Sequence, residues 1–235
     1  AGDASIFTVQ LLGVAYRHPT TWAKSGQAFA KTLVSGFLNP EAAITSHARF
    51  LRSEAGTIKR APGMILSTTG TEFTSPMHGV GLLTPGRAVR IGPATIYYGN
   101  IFGYILKPFQ LAFEHAMDVA GINLFKSLEH LAKGDPVKVA QLVEYVNKMR
   151  GMTASSRLGV SSKQQLLESL AALAPRYRRA TVGLYADAVQ GSLRGDLARK
   201  AIAAQYLGVN ATFTAIAIAY YSAQGKSPEE IRSLL

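Results

Sequence analysis

From Ala201 to Gly225 the chain runs 25 residues without a charged side chain, AIAAQYLGVNATFTAIAIAYYSAQG. Few fates are open to such a stretch. As one helix it is long enough to cross a hydrocarbon core. Its many alanines, with Gln205, Asn210, Thr212 and Thr214 interspersed, make it weaker than a Leu/Ile/Phe span. The composition therefore favours a buried core helix, packed closely through its small residues. The flanks fit a membrane interface instead. Arg199, Lys200 and Lys226 bound the run, and Tyr206, Tyr220 and Tyr221 stand toward its ends. The candidate membrane-facing residues are Tyr206, Phe213, Ile216, Ile218, Tyr220 and Tyr221.

Elsewhere apolar residues recur at helical spacing and almost nowhere alternate. Thr20 or Thr21 opens a helix to about Leu38, and Asn39-Pro40-Glu41 stops it and starts another, to about Ala55. Phe109 to about Lys133 is an amphipathic helix closed by Gly134. Asp135-Pro136 opens the next, which Gly151 closes, and Ser161 or Ser162 caps another through Ala174. Pro175 begins one to about Gln190, and Asp196 begins a long one to about Gln224. Ser227-Pro228-Glu229-Glu230 is a capping-box start. The expected fold is all-α: a multi-helix bundle or elongated helical unit with one long Gly/Pro-rich irregular segment.

That segment covers residues 56–93, where glycines and prolines are too dense for regular structure. It divides the chain into an N-terminal helical stretch (1–55), the irregular connection, and a helical C-terminal domain (94–235). The helical pattern is expected to resume at Ala94. Residues 73–113 hold no acid and only Arg87, Arg90 and Lys107 as charges. A buried core fits them best; a membrane-active or partner-covered segment fits too.

Charge is the second unusual property. Lys and Arg number 25 against 14 Asp and Glu, a formal charge of +11. Between Arg157 and Lys200 lie Arg157, Lys163, Arg176, Arg178, Arg179, Arg194, Arg199 and Lys200, against Glu168, Asp187 and Asp196. Counted within that block, the acids are too few to pair the bases. Guanidinium groups interleaved with an aromatic ring suit phosphate, base stacking or anionic head groups. Arg176, Tyr177, Arg178, Arg179, Arg194, Arg199 and Lys200 are the candidate polyanion- or partner-binding residues.

With no cysteine, disulfide scaffolds, iron–sulfur clusters and cysteine nucleophiles are excluded. No histidine pair stands at metal-ligand spacing. The best catalytic grouping is Glu114, His115 and Asp118 on one helix, with Glu129-His130 further along, and a polar stripe explains it better. Gly79-Val80-Gly81 and Pro85-Gly86-Arg87 match no phosphate loop or dinucleotide fingerprint. We expect no catalytic residues, no metal and no cofactor. Ala1-Gly2-Asp3 is no signal peptide start, and the chain stops at Leu235 within a helix pattern. It reads as a piece of a longer protein.

One pattern is more specific. Tyr145–Met152, Gly159, Ala174-Pro175-Arg176-Tyr177-Arg178-Arg179-Ala180, Gly183–Asp187, Gln190-Gly191 and Arg194-Gly195-Asp196-Leu197-Ala198-Arg199-Lys200 follow one another. This run resembles the C-terminal region of large internal virion (ejection) proteins of tailed phages, of the large polyvalent protein-associated type. The likeness covers the last third or more of the chain. It implies a protein packaged inside the capsid near the portal and delivered with the genome. In that setting it helps form a DNA-translocation conduit across the host envelope. The implied partners are portal or other core proteins, DNA through non-specific contacts, host membrane and further copies of the chain. Any enzymatic domain would lie elsewhere in the parent polypeptide. A soluble basic nucleic-acid-binding module and a membrane-inserting helical protein are the alternatives.

Overall fold

A computed structural model describes residues 11–67, 87–91, 94–98, 101–152 and 175–234. Its helices are α1 (Leu12–Arg17), α2 (Pro19–Leu38), α3 (Pro40–Ser53), α4 (Ala55–Arg60), α5 (Ile101–Leu128), α6 (Pro136–Met149), α7 (Pro175–Ala188), α8 (Leu193–Ala223) and α9 (Pro228–Leu234). The fold is all-α. A two-stranded antiparallel hairpin, β1 (Arg87–Ile91) and β2 (Ala94–Tyr98), precedes α5, with Ile91 opposite Ala94 at its closed end. The helical pattern expected from Ala94 is thus a strand for its first five residues, and helix begins at Ile101.

Local chemistry sets the helix starts. Pro19, Pro40 and Pro136 stand at first-turn positions, where the missing N–H costs nothing. Asn39 Oδ1 accepts from Ala42 N at 3.1 Å, and Asp135 Oδ1 accepts from Val137 N at 2.9 Å. At α9, Glu230 N donates to Ser227 Oγ at 3.3 Å and Ser227 N donates to Glu230 Oε2 at 2.7 Å, a closed capping box.

One core draws on both sides of the Gly/Pro-rich stretch and on the stretch itself, which is helix at 56–60 and strand at 87–91 where irregular chain was expected. The strand-free run from Ala61 to Leu66 joins Leu11, Val14 and Leu51 against Met117, Phe125, Leu142, Tyr145, Val146, Leu197 and Ala201. α2 lies along α5 and crosses it closely. A Cβ at Gly36 would stand 3.1 Å from the Pro108 Cβ.

A charged side chain sits inside this core. Arg150 is fully buried. Its guanidinium donates to Met117 O at 2.8 Å, Ile65 O at 2.9 Å and Asn147 Oδ1 at 2.8 Å. Asn147 Oδ1 also accepts from Ile65 N, and Asn147 Nδ2 donates to Gly63 O, each at 3.0 Å. Burial lowers the Arg150 pKa to about 10, against the pull of Asp118. It stays protonated at neutral pH. Gly121 leaves the room: a Cβ there would come within 2.6 Å of Arg150 Cζ. Together Arg150 and Asn147 strap residues 63–65 onto α5 and α6.

Candidate functional site

α8 begins in the core and leaves it. Leu197, Ala198 and Ala201 are buried. From Ala211 to Tyr220 every residue except Ala217 is exposed. Phe213 is 68% exposed and Ile216 59%. Only 6% of the helix's most apolar 18-residue window is buried. The buried core helix favoured by composition is therefore corrected: its root is core, α1 covers one side of its middle, and its end is free surface. Ala-rich, uncharged sequence reads alike in either setting, and only the path of the chain decides between them.

The free part is apolar on all sides. At ~100° per residue, Leu207 and Ile218 leave the helix within about 20° of each other. Ile216 and Tyr220 project from roughly the opposite side. All four are more than 40% exposed. A protein partner needs one apolar stripe; hydrocarbon needs apolar residues all round. The polar side chains within the run are partly satisfied by the helix itself. Asn210 Nδ2 donates to Tyr206 O at 2.7 Å, and Thr212 Oγ1 donates to Gly208 O at 2.8 Å. Such back-bonding lowers the cost of taking them out of water. At the tip, Tyr221 packs against Tyr220, and Lys226 Nζ lies 5.1 Å from the Tyr221 ring centre.

The root is mounted by ion pairs. Asp187 of α7 is buried; Lys148 Nζ is 2.6 Å from its Oδ2 and Arg194 Nε 3.0 Å from its Oδ1. Arg194 also pairs with Glu144 of α6. Arg199 donates to Ala188 O at 2.7 Å and Gln190 O at 3.2 Å, closing the end of α7, and pairs with Asp196. Gly195 is required at this elbow, since a Cβ would overlap Gln190 O. Arg194, partly buried, and Arg199, exposed, both expected to face a polyanion, each make ion pairs within the molecule. Lys200 is exposed, and Arg179 is half-buried with interactions of its own. The side chains of Arg176, Tyr177 and Arg178 lie outside the described residues, as do Arg157 and Lys163.

No protein-family model, no curated protein and no solved structure matches this chain.

The Glu114–His115–Asp118 grouping resolves into a buried junction. Asp118 is fully buried and accepts from Ser67 N at 3.2 Å, Ser67 Oγ at 2.5 Å and His47 Nε2 at 2.9 Å. The His47 and His115 rings stack 4.6 Å apart, and His115 Nδ1 pairs with Thr32 Oγ1 at 2.7 Å. Burial, then the adjacent His47, lowers the His115 pKa to about 4, so the ring is neutral at pH 7. Glu114 turns aside and accepts from Gln110 Nε2 at 2.8 Å. The carboxylate is the hub, and Ser67 donates to it rather than to a histidine. A nucleophile paired with a base is therefore not formed by these three groups. They tie α2, α3, α5 and the 61–67 strap together. Among the described residues, no group of three or more His, Asp or Glu is placed to hold a metal ion.

Proposed function

We propose that this chain is part of an internal virion protein of a tailed phage, packaged near the portal and ejected with the genome. Its task there is to help carry DNA across the host envelope, with α8 as the element that enters the membrane. The supporting observation is the end of α8, Phe213–Ala223, uncharged and largely exposed to water on a basic protein. Burying the exposed parts of Leu207, Phe213, Ile216 and Ile218 in hydrocarbon is worth roughly 4–7 kcal/mol. The phage setting rests on the resemblance of residues 145–200. The net charge of +11 supports non-specific DNA contact and attraction to anionic lipid. Portal proteins and further copies of the chain complete the set of proposed partners.

The test is peptide mass spectrometry on phage particles before and after triggered genome release. Peptides present in full particles and lost from emptied ones support ejection. Peptides that stay with the emptied shell mark a fixed structural part. Peptides never found in particles overturn the proposal and leave a membrane-inserting protein without a phage.

A further inference from the structure

α1 lies across α8 where the long helix leaves the core. Its Gly13 faces α6 and α8: a Cβ there would stand 3.4 Å from Met149 Cε and 3.8 Å from Gln205 Oε1. One turn on, the Tyr16 ring packs against Gly208, where any Cβ would overlap it. The Tyr16 hydroxyl reaches Thr212 Oγ1 at 3.0 Å. These contacts occupy one side of α8 from Gln205 to Thr212. Beyond them Phe213–Ala223 extends about 16 Å at 1.5 Å per residue, half of a ~30 Å hydrocarbon core. Counted back to Ile202, where α8 has just left the buried root, the run reaches about 33 Å. The clamp's position decides whether α8 is long enough to span.

The contact is also built to part. Thr212 Oγ1 keeps its bond to Gly208 O when Tyr16 departs, so no buried orphan is left on α8. Gly208 presents a bare notch rather than an interlocked side chain. α1 has only six residues and meets α2 at His18, whose φ of −137° and ψ of 64° break the helix, followed by Pro19. Leu11 and Val14, both fully buried, hold the clamp shut in water.

We propose that α1 is a releasable clamp that keeps α8 short of bilayer-spanning length until the protein meets a membrane. The proposal rests on the reading of α8 as a membrane helix, and the experiment separates the two.

The chain has no cysteine, so a designed pair is unique. A Cβ at 208 would touch the Tyr16 Cγ, which puts Cβ atoms at the two positions no more than about 4 Å apart, within disulfide range. The variant is Tyr16→Cys with Gly208→Cys in the full chain, oxidised or reduced, beside the wild type and Tyr16→Ala. Far-ultraviolet dichroism checks that each is folded. The probe is a vesicle of phosphatidylethanolamine and phosphatidylglycerol, read by flotation, dye release and protection of residues 202–212 from hydrogen exchange. Expected are at least tenfold slower dye release for the oxidised pair than for its reduced form, protection of 202–212 only when reduced, and several-fold faster release for Tyr16→Ala. Equal leakage and equal protection in oxidised and reduced forms overturn the clamp alone. If no form floats with vesicles, the membrane reading of α8 falls, and the clamp with it.

Discussion

Ile216→Asp separates a membrane helix from a core helix in one substitution. Ile216 is 59% exposed and stands on the free part of α8, past the Tyr16 contact. In water the aspartate takes nothing away from the folded body. Its cost there is a helix-propensity change of a few tenths of a kcal/mol. In a bilayer the same change replaces a residue worth about −0.5 kcal/mol near a span's centre by one costing roughly +3. The difference, about 3.5 kcal/mol, is a factor of roughly 300 in partitioning. The assay is vesicle binding at increasing lipid, with urea unfolding of the free protein alongside. The expected result is binding weakened by two to three orders of magnitude at an unchanged unfolding midpoint. An unfolding midpoint lowered as by a core substitution would show that Ile216 is packed in the folded protein and refute the reasoning. Vesicle binding within threefold of wild type would refute it equally.

Three further outcomes follow from the interior. Arg150→Met leaves Met117 O, Ile65 O and Asn147 Oδ1 short of a donor and should cost about 3–5 kcal/mol in urea unfolding, with the 61–67 strap losing amide protection first. The folded pKa of His115, about 4, lies below its unfolded value of 6.5, so the unfolded chain takes up the proton first. Stability is then lost as pH falls from 6.5 toward 4, by up to about 3 kcal/mol from this ring, and is flat below; His115→Gln should remove that part of the slope in a pH series of unfolding curves. His18, also lowered to about 4 by burial and Arg17, accounts for a share of the remaining slope. Asp187→Asn strips Lys148 and Arg194 of their buried partner and should cost about 2–4 kcal/mol. Hydrogen exchange should place that loss at the α7–α8 elbow.

What could be read from residues alone was local. Asn39-Pro40, Asp135-Pro136 and Ser227-Pro228 announce helix starts because a cap and a fixed φ act within four residues, and all three hold. The hairpin left a signal that helical spacing overrode. Thr95-Ile96-Tyr97-Tyr98 is β-branched and aromatic, and Gly92-Pro93 marks a turn. The rest depended on chain path. Arg194 looked unpaired because acids were counted only within its own block. Besides Asp187 within the block, it pairs with Glu144, which stands 50 residues earlier, on α6. Nothing short of the packing of α5, α6 and the strap reveals that Gly121 clears space for Arg150. His115 and Asp118 were seen together, but His47, Thr32 and Ser67 come from other elements, and their arrival turns a polar stripe into a sealed junction. Whether 201–225 is covered is likewise a question of what other segments reach it.

α8 runs from Leu197 in the core to Tyr220 in the open without a proline, and its one interior glycine past the elbow is Gly208. Core and tip are therefore a single stiff rod rather than a body on a tether. If the tip is fixed in a bilayer, the body cannot tumble above it. Its tilt and its height are set by the rod, at about 1.5 Å per residue. Any sideways load on the tip is delivered to the Lys148–Asp187–Arg194 mount, with the long arm outside and the short arm inside.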